Sequence, residues 1–169
     1  NRGNLVPDDI VAKIVSERLK KDDCRKGYIL DGFPRTLKQA ELFDQMEDVD
    51  LIIVFDVPKE LSIYRISGRR ICKECGAVYN INPDGFPRPK EEGKCDKCGG
   101  ELYQREDDKP EAIEKRLKLY EEETKPILEK YKSKVHVVDA SLPVEEIFKK
   151  TTDIIDKTIA RKWMHNLYK

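Results

Sequence analysis

The sequence predicts an α/β protein: a parallel β-sheet with flanking helices, carrying an inserted zinc-binding segment. Strand-like and helix-like segments alternate along the 169 residues, an order typical of parallel sheets. Residues 51–57 are continuously apolar, as expected for a parallel strand covered on both faces. The only break in composition is residues 68–105, which are rich in cysteine, proline and glycine. We interpret this segment as an insert into the α/β body.

The first half of the chain predicts two strands and three helices. Asp8 or Asp9 is placed to cap a helix, because the apolar residues that follow recur at helical spacing: Ile10, Val11, Ile14, Val15 and Leu19. Residues 28–30 are interpreted as a short strand that ends at Asp31, with a turn at Gly32. A helix is predicted over residues 37–46, then the strand 51–57, then a helix over residues 59–68.

The second half predicts two helices and one strand after the cysteine-rich segment. A long helix begins at Pro110 and runs to about Lys132, with a bend at Thr124-Lys125-Pro126, because proline removes a backbone hydrogen bond. A strand is predicted over residues 135–139 and a last helix over residues 144–162. Ligands of such sheets bind beyond the carboxyl ends of the strands.

Composition excludes some classes of partner. The chain has 33 Lys and Arg against 33 Asp and Glu, and this balance argues against a general nucleic-acid or membrane binder. No apolar run approaches the roughly 20 residues of a membrane span, and no signal peptide is recognised. Cysteine use indicates a reducing compartment, so a cytoplasmic location is expected.

Two Cys-x-x-Cys knuckles predict a metal site formed by Cys72, Cys75, Cys95 and Cys98. One tight turn lets two thiolates hold one ion, and Gly76 and Gly99 supply the permissive backbone after each knuckle. The spacing between the knuckles is that of a four-sulfur zinc site. Four thiolates leave no open coordination position, so Zn²⁺ would be structural. Two disulfides or unconnected thiols are the alternatives.

Arginines at the junctions between elements indicate a phosphate-binding function. They are Arg35, Arg65, Arg69, Arg70, Arg105 and Arg116. A guanidinium group binds phosphate bidentately and stays protonated. Any single one is more often part of a surface ion pair, but several converging on one edge of a crevice favour a polyphosphate ligand.

Residues 27–36, GYILDGFPRT, closely resemble the signature of adenylate kinases. Residues 68–70, the four-cysteine insert, residues 104–108 and residues 115–117 follow in that family's order and spacing. The match runs from about Gly3 to Phe148 and resembles the long, zinc-bearing bacterial form. It implies the fold of a P-loop nucleoside monophosphate kinase. The implied organisation is a partial AMP-binding segment (1–27), an α/β core (28–67), a zinc-binding lid (68–108) and the C-terminal part of the core (109–169).

The resemblance implies reversible, Mg²⁺-dependent phosphoryl transfer from ATP to AMP, giving two ADP. The implied AMP-binding residues are Asn4, Leu5, Val6, Gly32, Phe33, Pro34, Arg35, Gln39, Arg105 and Arg116. The implied ATP-binding residues are Arg65, Arg69, Val78, Tyr79 and Leu142. The implied catalytic groups are the guanidinium groups of Arg35, Arg65, Arg69, Arg105 and Arg116. Asp31 would orient the waters of Mg²⁺.

One part of the family pattern is not found in these residues. No G-x-x-x-x-G-K-[ST] loop is present, although this loop cradles ATP in the family. We therefore expect a partial chain that is inactive without that segment, and a monomer. Two alternatives remain: a zinc-ribbon module that binds nucleic acid or protein, and a related nucleoside monophosphate kinase with another acceptor or with GTP as donor. The zinc lid and Gln39 favour AMP as the acceptor.

Overall fold

The computed structural model describes residues 6–167, with the side chains of residues 6–160. The chain forms two compact units. Unit 1 comprises Asn1–Asp56 and Leu119–Lys169, and unit 2 comprises Val57–Lys118. All of the predicted lid, residues 68–108, belongs to unit 2. Each unit is described by itself below.

The helices and strands follow the predicted order closely. The helices are α1 (Asp8–Leu19), α2 (Leu37–Asp44), α3 (Lys59–Ser67), α4 (Pro110–Leu119), α5 (Lys125–Lys130) and α6 (Val144–Leu167). The strands are β1 (Ile52–Asp56), β2 (Arg69–Cys72), β3 (Val78–Asn80), β4 (Leu102–Tyr103) and β5 (Val135–Asp139). Short 3-10 turns cover Asp22–Cys24, Glu106–Asp108 and Lys132–Lys134.

Unit 1 contains a parallel sheet, which confirms the predicted fold class. Strand β1 pairs with β5 in register from Ile52 opposite Val135 to Asp56 opposite Asp139. Helices α2 and α5 supply the buried residues of a small core, Ala40, Ile127 and Tyr131. Apolar side chains from β1, from β5 and from the loop before β1 (Ile52, Val135 and Val49) pack against this core, so the core lies at the amino ends of the two strands.

The predicted strand at residues 28–30 is wrong. This segment pairs with no strand in the described part of the chain, and the side chain of Ile29 is 90% exposed. A strand needs a neighbour to satisfy its backbone groups, and between residues 6 and 167 the sheet of unit 1 contains only β1 and β5. The expected burial of 51–57 on both faces is also wrong, because Phe55 is 52% exposed.

The predicted capping of α1 is also wrong. Pro7 occupies the N-cap position, and no side chain caps the helix. Asp8 and Asp9 lie in the first turn, where a carboxylate still interacts favourably with the helix dipole. Because it is not used for capping, the Asp8 carboxylate is available for a hydrogen bond to another element.

Where the sequence predicts one helix with a bend at residues 124–126, the structure has α4, a π-helical turn at Tyr120–Thr124 and then α5. The backbone N–H of Lys125 donates to the carbonyl oxygen of Tyr120, five residues back. Pro126 follows in the first turn of α5. A wider turn is expected there, because a proline has no N–H to donate and its ring crowds the preceding turn.

Unit 2 contains a three-stranded antiparallel sheet in the order β3-β2-β4, which the sequence did not predict. Its strands are two to four residues long. The buried cluster of this unit joins Tyr79 and Leu102 to the two knuckles through Cys72 and Cys95. None of the helices in residues 6–167 combines the length and the apolar character that a membrane span requires.

Candidate active site and metal centre

The four knuckle cysteines form one cluster. Their Sγ atoms all lie within 4.8 Å of one another, and the Cys72–Cys98 and Cys75–Cys95 pairs are each 3.5 Å apart. Zinc at about 2.3 Å from each sulfur requires sulfur–sulfur distances of about 3.8 Å, so the cluster fits a tetrahedral ion. A disulfide bond is about 2.05 Å long, and all four cysteines are free thiols.

The backbone holds both knuckles in the same way. The N–H of Gly76 donates to the carbonyl oxygen of Cys72 at 3.1 Å, and the N–H of Gly99 donates to that of Cys95 at 2.8 Å. Both glycines adopt positive φ, at 70° and 75°, which confirms the reason for a glycine after each knuckle. The two turns thus present two thiols each to a common point.

Tyr79 connects the metal cluster to strand β3. Its buried hydroxyl lies 3.4 Å from Cys95 Sγ and accepts a hydrogen bond from the backbone N–H of Asp96 at 2.9 Å. The hydrogen bond from Tyr79 lowers the pKa of the Cys95 thiol to about 6. A lowered pKa favours the thiolate, which is the form that binds metal.

A pocket of about 230 Å³ lies in unit 2. It is lined by Arg65, Ile66, Arg69, Val78, Tyr79, Asn80 and Phe86. Helix α3 supplies the first two residues, β2 supplies Arg69, and β3 supplies the next three. Four predicted ATP-binding residues, Arg65, Arg69, Val78 and Tyr79, therefore line one cavity. The fifth, Leu142, follows β5 in unit 1 and is half-buried.

Arg69 is held by a fully buried carboxylate. Its Nε donates to Oδ2 of Asp108 at 2.8 Å, and its Nη2 donates to Oδ1 at 2.5 Å. Asp108 raises the pKa of the Arg69 guanidinium, chiefly through these hydrogen bonds. Gln104 stabilises the turn that contains Asp108, because its Nε2 donates to the carbonyl oxygens of Ser67 and Asp108, each at 3.1 Å.

Two further predicted arginines meet the same short turn. Arg105 forms a bidentate pair with the Asp107 carboxylate, from Nε at 2.7 Å and from Nη2 at 2.5 Å. Arg116 Nη1 donates to the Asp107 carbonyl oxygen at 3.2 Å and reaches Asp108 Oδ1 at 3.5 Å. Three arginines thus converge on two neighbouring carboxylates. Although partial burial raises the pKa of Asp107, its hydrogen bonds from Arg105 hold that pKa below its usual value.

The predicted AMP-binding residues of unit 1 cluster around the start of α2. The Nε of Arg35 donates to the Gly32 carbonyl oxygen at 2.7 Å, and the Arg35 backbone N–H donates to Oε1 of Gln39 at 2.8 Å. Thr36 caps α2 by accepting from the Gln39 backbone N–H at 3.1 Å. Gln39 is therefore fixed at both its backbone and its side chain.

The remaining predicted residues of unit 1 are placed as follows. Phe33 packs edge-to-face on Phe43, with ring centroids 5.8 Å apart, and Pro34 is half-buried beside it in sequence. Asp31 and Val6 are exposed. Asn4 and Leu5 lie outside the described residues.

Comparison with known proteins decides the family. A family model described as adenylate kinase matches residues 1–136. The chain belongs to the adenylate kinase family. A protein named adenylate kinase from Archaeoglobus fulgidus is 46% identical over 164 residues, covering 93% of this chain and 74% of that protein. One of the same name from Thermosipho africanus is 48% identical over 161 residues, covering 91% and 74%. Another from Clostridium perfringens is 42% identical over 162 residues, covering 92% and 74%.

The sequence alone assigns no role to the carboxylates that pair with the predicted arginines. Asp107 and Asp108 were noted as part of the family's spacing, but the pairing of Asp108 with Arg69 joins residues 39 positions apart. Asp8 was interpreted only as a helix cap. For the Asp108–Arg69 pair, the sequence feature that indicates it is the balance of acidic and basic residues. Arginines in a crevice need carboxylates as partners when no phosphate neutralises them.

Proposed function

We propose that the chain transfers a phosphoryl group reversibly from ATP to AMP, giving two ADP, with its arginines as the charged groups of the reaction. The observation that carries the proposal is the convergence of Arg69, Arg105 and Arg116 on the Asp107–Asp108 turn, with Arg69 also lining the pocket of unit 2. Preorganised cations are what this chemistry needs, because negative charge spreads over the transferred group and no covalent intermediate is required.

The roles that we assign are given one unit at a time. In unit 2, Arg65 and Arg69 bind the ATP phosphates in the pocket that Val78 and Tyr79 also line. Arg105 and Arg116 stabilise the AMP phosphate and the group in transfer. The carboxylates of Asp107 and Asp108 keep the guanidinium groups of these arginines oriented before phosphate binds. The entropy lost in ordering them during the reaction is therefore smaller.

In unit 1, the AMP phosphate is assigned to Arg35 and the adenine edge to Gln39. The Arg35 side chain is exposed, and among residues 6–160 it donates one hydrogen bond, to the Gly32 carbonyl oxygen, so a phosphate can displace that contact at small cost. Gln39 is buried, and hydrogen bonds hold its backbone and its side chain, as suits a residue that reads a base. We assign Gly32, Phe33 and Pro34 of the same loop to the AMP site.

Two metals belong to the proposal. Zn²⁺ is held by Cys72, Cys75, Cys95 and Cys98 and is structural, because four thiolates complete its coordination. Mg²⁺ enters with the nucleotide and neutralises phosphate charge when bound. Asp31 is the exposed carboxylate that we assign to its waters, since Asp31 precedes the Gly32–Arg35 loop.

The proposed setting is a monomer in the cytoplasm with ATP, AMP and ADP as its ligands. The cytoplasmic part rests on the cysteines, which are thiols available to a metal. The balanced charge of 33 basic and 33 acidic residues favours small anions over nucleic acid as partners.

A coupled assay of ADP formation from ATP and AMP tests the proposal. It is run on the chain alone and on the chain with an N-terminal extension that carries a G-x-x-x-x-G-K-[ST] loop, since that loop is expected upstream. In the active form, Arg69→Ala should lower kcat by about 10²–10³-fold, as for other preorganised charge contacts. Arg25→Ala is the matched control, because Arg25 pairs only with Asp22 at the surface in the described structure.

The possible results separate cleanly. Activity in the extended chain that falls with Arg69→Ala and survives Arg25→Ala supports the proposal. An extended chain that folds, binds zinc and forms no ADP from AMP would overturn it.

A further inference from the structure

Gln39 is locked by two hydrogen bonds from different elements. Its Oε1 accepts from the backbone N–H of Arg35 at 2.8 Å, and its Nε2 donates to Oδ1 of Asp8 at 2.9 Å. The residue is only 3% exposed, so neither bond is replaced readily by water. Asp8 lies 31 positions earlier, in the first turn of α1, and is itself half-buried.

These two partners allow one orientation of the amide. A backbone N–H can only donate, and an ionised carboxylate can only accept. Rotating the amide by 180° would set Nε2 against the Arg35 N–H and Oε1 against the Asp8 carboxylate, and both hydrogen bonds would become repulsive contacts. The orientation therefore follows from the partners, independently of how the two amide atoms are told apart.

The locked amide keeps one N–H and one oxygen lone pair for a ligand, because Nε2 has two hydrogens and Oε1 has two lone pairs. Adenine presents an amino donor beside a ring-nitrogen acceptor, which is the complement of that pair. A 6-oxopurine has an acceptor oxygen where adenine has the amino donor. Only a rotated amide could satisfy the 6-oxopurine, and Asp8 opposes the rotation.

We propose that Asp8 is a positioning residue for base selection, which fixes the amide of Gln39 so that the acceptor site takes a 6-aminopurine and rejects a 6-oxopurine. The inference rests on the proposed assignment of the AMP base to Gln39. Asp8 itself does not touch the base. It acts by making one of the two amide orientations unfavourable.

Binding of AMP and of IMP, measured by calorimetry on the full chain, tests this inference. The two nucleotides differ in the base at the 6-position. The wild-type chain should bind AMP more tightly, and Asp8→Ala should reduce the AMP-to-IMP affinity ratio about tenfold, because a hydrogen bond to a charged group no longer opposes rotation. Asp8→Asn should also lower the ratio, because an amide can present either its oxygen or its NH2 group to Gln39 and so no longer opposes rotation.

Asp9→Ala is the matched control. Asp9 carries the same charge in the same turn of α1, is exposed, and makes no hydrogen bond to Gln39. Both alanine variants lose one favourable contact with the helix dipole, and Asp8→Ala also loses its hydrogen bond to Gln39. A merely structural role of Asp8 would lower the melting temperature of Asp8→Ala and leave both ratios unchanged. Nitrogen-15 NMR of the Gln39 side-chain amide gives an independent readout, with faster exchange of its protons expected in Asp8→Ala only.

Each result has one meaning. Loss of preference in Asp8→Ala and Asp8→Asn, with the preference kept in Asp9→Ala, supports the inference. A preference for AMP that is the same in Asp8→Ala and wild type overturns it and leaves the proposed function standing. A wild-type chain that binds neither nucleotide, or both equally, overturns the assignment of the AMP base to Gln39, and the inference fails with it.

Discussion

Asp108 shows how a single carboxylate organises a cationic site. Its side chain is fully buried, yet it carries a charge, and a buried charge persists only when it is paired and hydrogen-bonded. Arg69 satisfies both oxygens, and Arg116 adds a weaker contact to one of them. The guanidinium of Arg69 is consequently fixed at the pocket wall rather than sampling many rotamers. We regard this fixation as the residue-scale basis of the proposed ATP site.

Replacing Asp108 should destabilise unit 2 more than replacing its neighbour. Asp108→Ala leaves the Arg69 charge unpaired and partly buried, and we expect it to lower the free energy of unfolding by about 3 kcal/mol. Asp107 is about one-third exposed, so Asp107→Ala should cost at most about 1 kcal/mol. Urea denaturation of the zinc-loaded chains measures both. Equal losses in the two variants would show that burial of Asp108 is not the deciding factor.

Tyr131 should make the stability of unit 1 depend on pH in the alkaline range. Burial, and then its hydrogen bond to Asp44, raise the pKa of Tyr131 above its ordinary value of 10.0. As the pH rises past 10, Tyr131 therefore ionises in the unfolded chain before it ionises in the folded chain. The stabilisation that the neutral Tyr131 side chain provides is complete below pH 10 and is lost above it. The difference in unfolding free energy between wild type and Tyr131→Phe should be constant from pH 7 to about 9 and shrink above pH 10. Urea denaturation across this pH range measures the difference. A difference between wild type and Tyr131→Phe that stays constant above pH 10 would contradict the expectation.

At the scale of elements, the two knuckles replace a hydrophobic core in unit 2. Strands β2, β3 and β4 are too short to hold together alone, and their buried cluster consists largely of cysteines and their immediate contacts. Binding free energy of a metal then acts as folding free energy for this segment. The same reasoning explains why the segment tolerates so many prolines and glycines.

Loss of one knuckle thiol should therefore unfold the segment. We expect one zinc per wild-type chain, no stable zinc in Cys75→Ser, and rapid amide hydrogen exchange over residues 69–103 in that variant or after chelation. Cys24→Ser is the matched control, because the Cys24 thiol accepts from Arg18 Nη1 and lies outside the cluster. Metal content and exchange by mass spectrometry measure both effects. Retained protection in Cys75→Ser would mean that the metal is dispensable for folding.

The elements that the sequence predicted well are those whose signal is local. Strands β1 and β5 are rich in apolar residues, and the knuckles are recognised by the spacing of their cysteines. The strand at residues 28–30 was wrong because an apolar run does not show whether a partner strand is beside it. The antiparallel sheet of unit 2 was not predicted because two-residue strands carry no period. Asp8 and Asp108 were missed as partners because their contacts join residues 31 and 39 positions apart.

At the scale of the whole molecule, the predicted residues for each nucleotide come from both units, since Arg105 and Arg116 belong to unit 2 and Leu142 to unit 1. The Arg35 loop and the pocket of unit 2 nevertheless divide between the units: Arg35 and Gln39 belong to unit 1, whereas Arg65 and Arg69 belong to unit 2. A substitution in one of these two places should therefore affect one nucleotide more than the other. Arg35→Ala should weaken AMP binding about tenfold or more and leave ATP binding within about twofold, since a charged hydrogen bond to phosphate is lost at one ligand only. Calorimetry with each nucleotide on the extended chain measures this. Equal losses for both ligands would contradict the division.

Strand β3 links the pocket of unit 2 to the cysteine cluster. Val78, Tyr79 and Asn80 form one wall of the pocket, while the Tyr79 hydroxyl rests against a metal-site sulfur. Loss of the proposed zinc, or oxidation of the thiols, should therefore loosen that wall and raise the KM for ATP. The contacts of Arg35 and Gln39 lie in unit 1, away from the thiols in sequence, and should be kept.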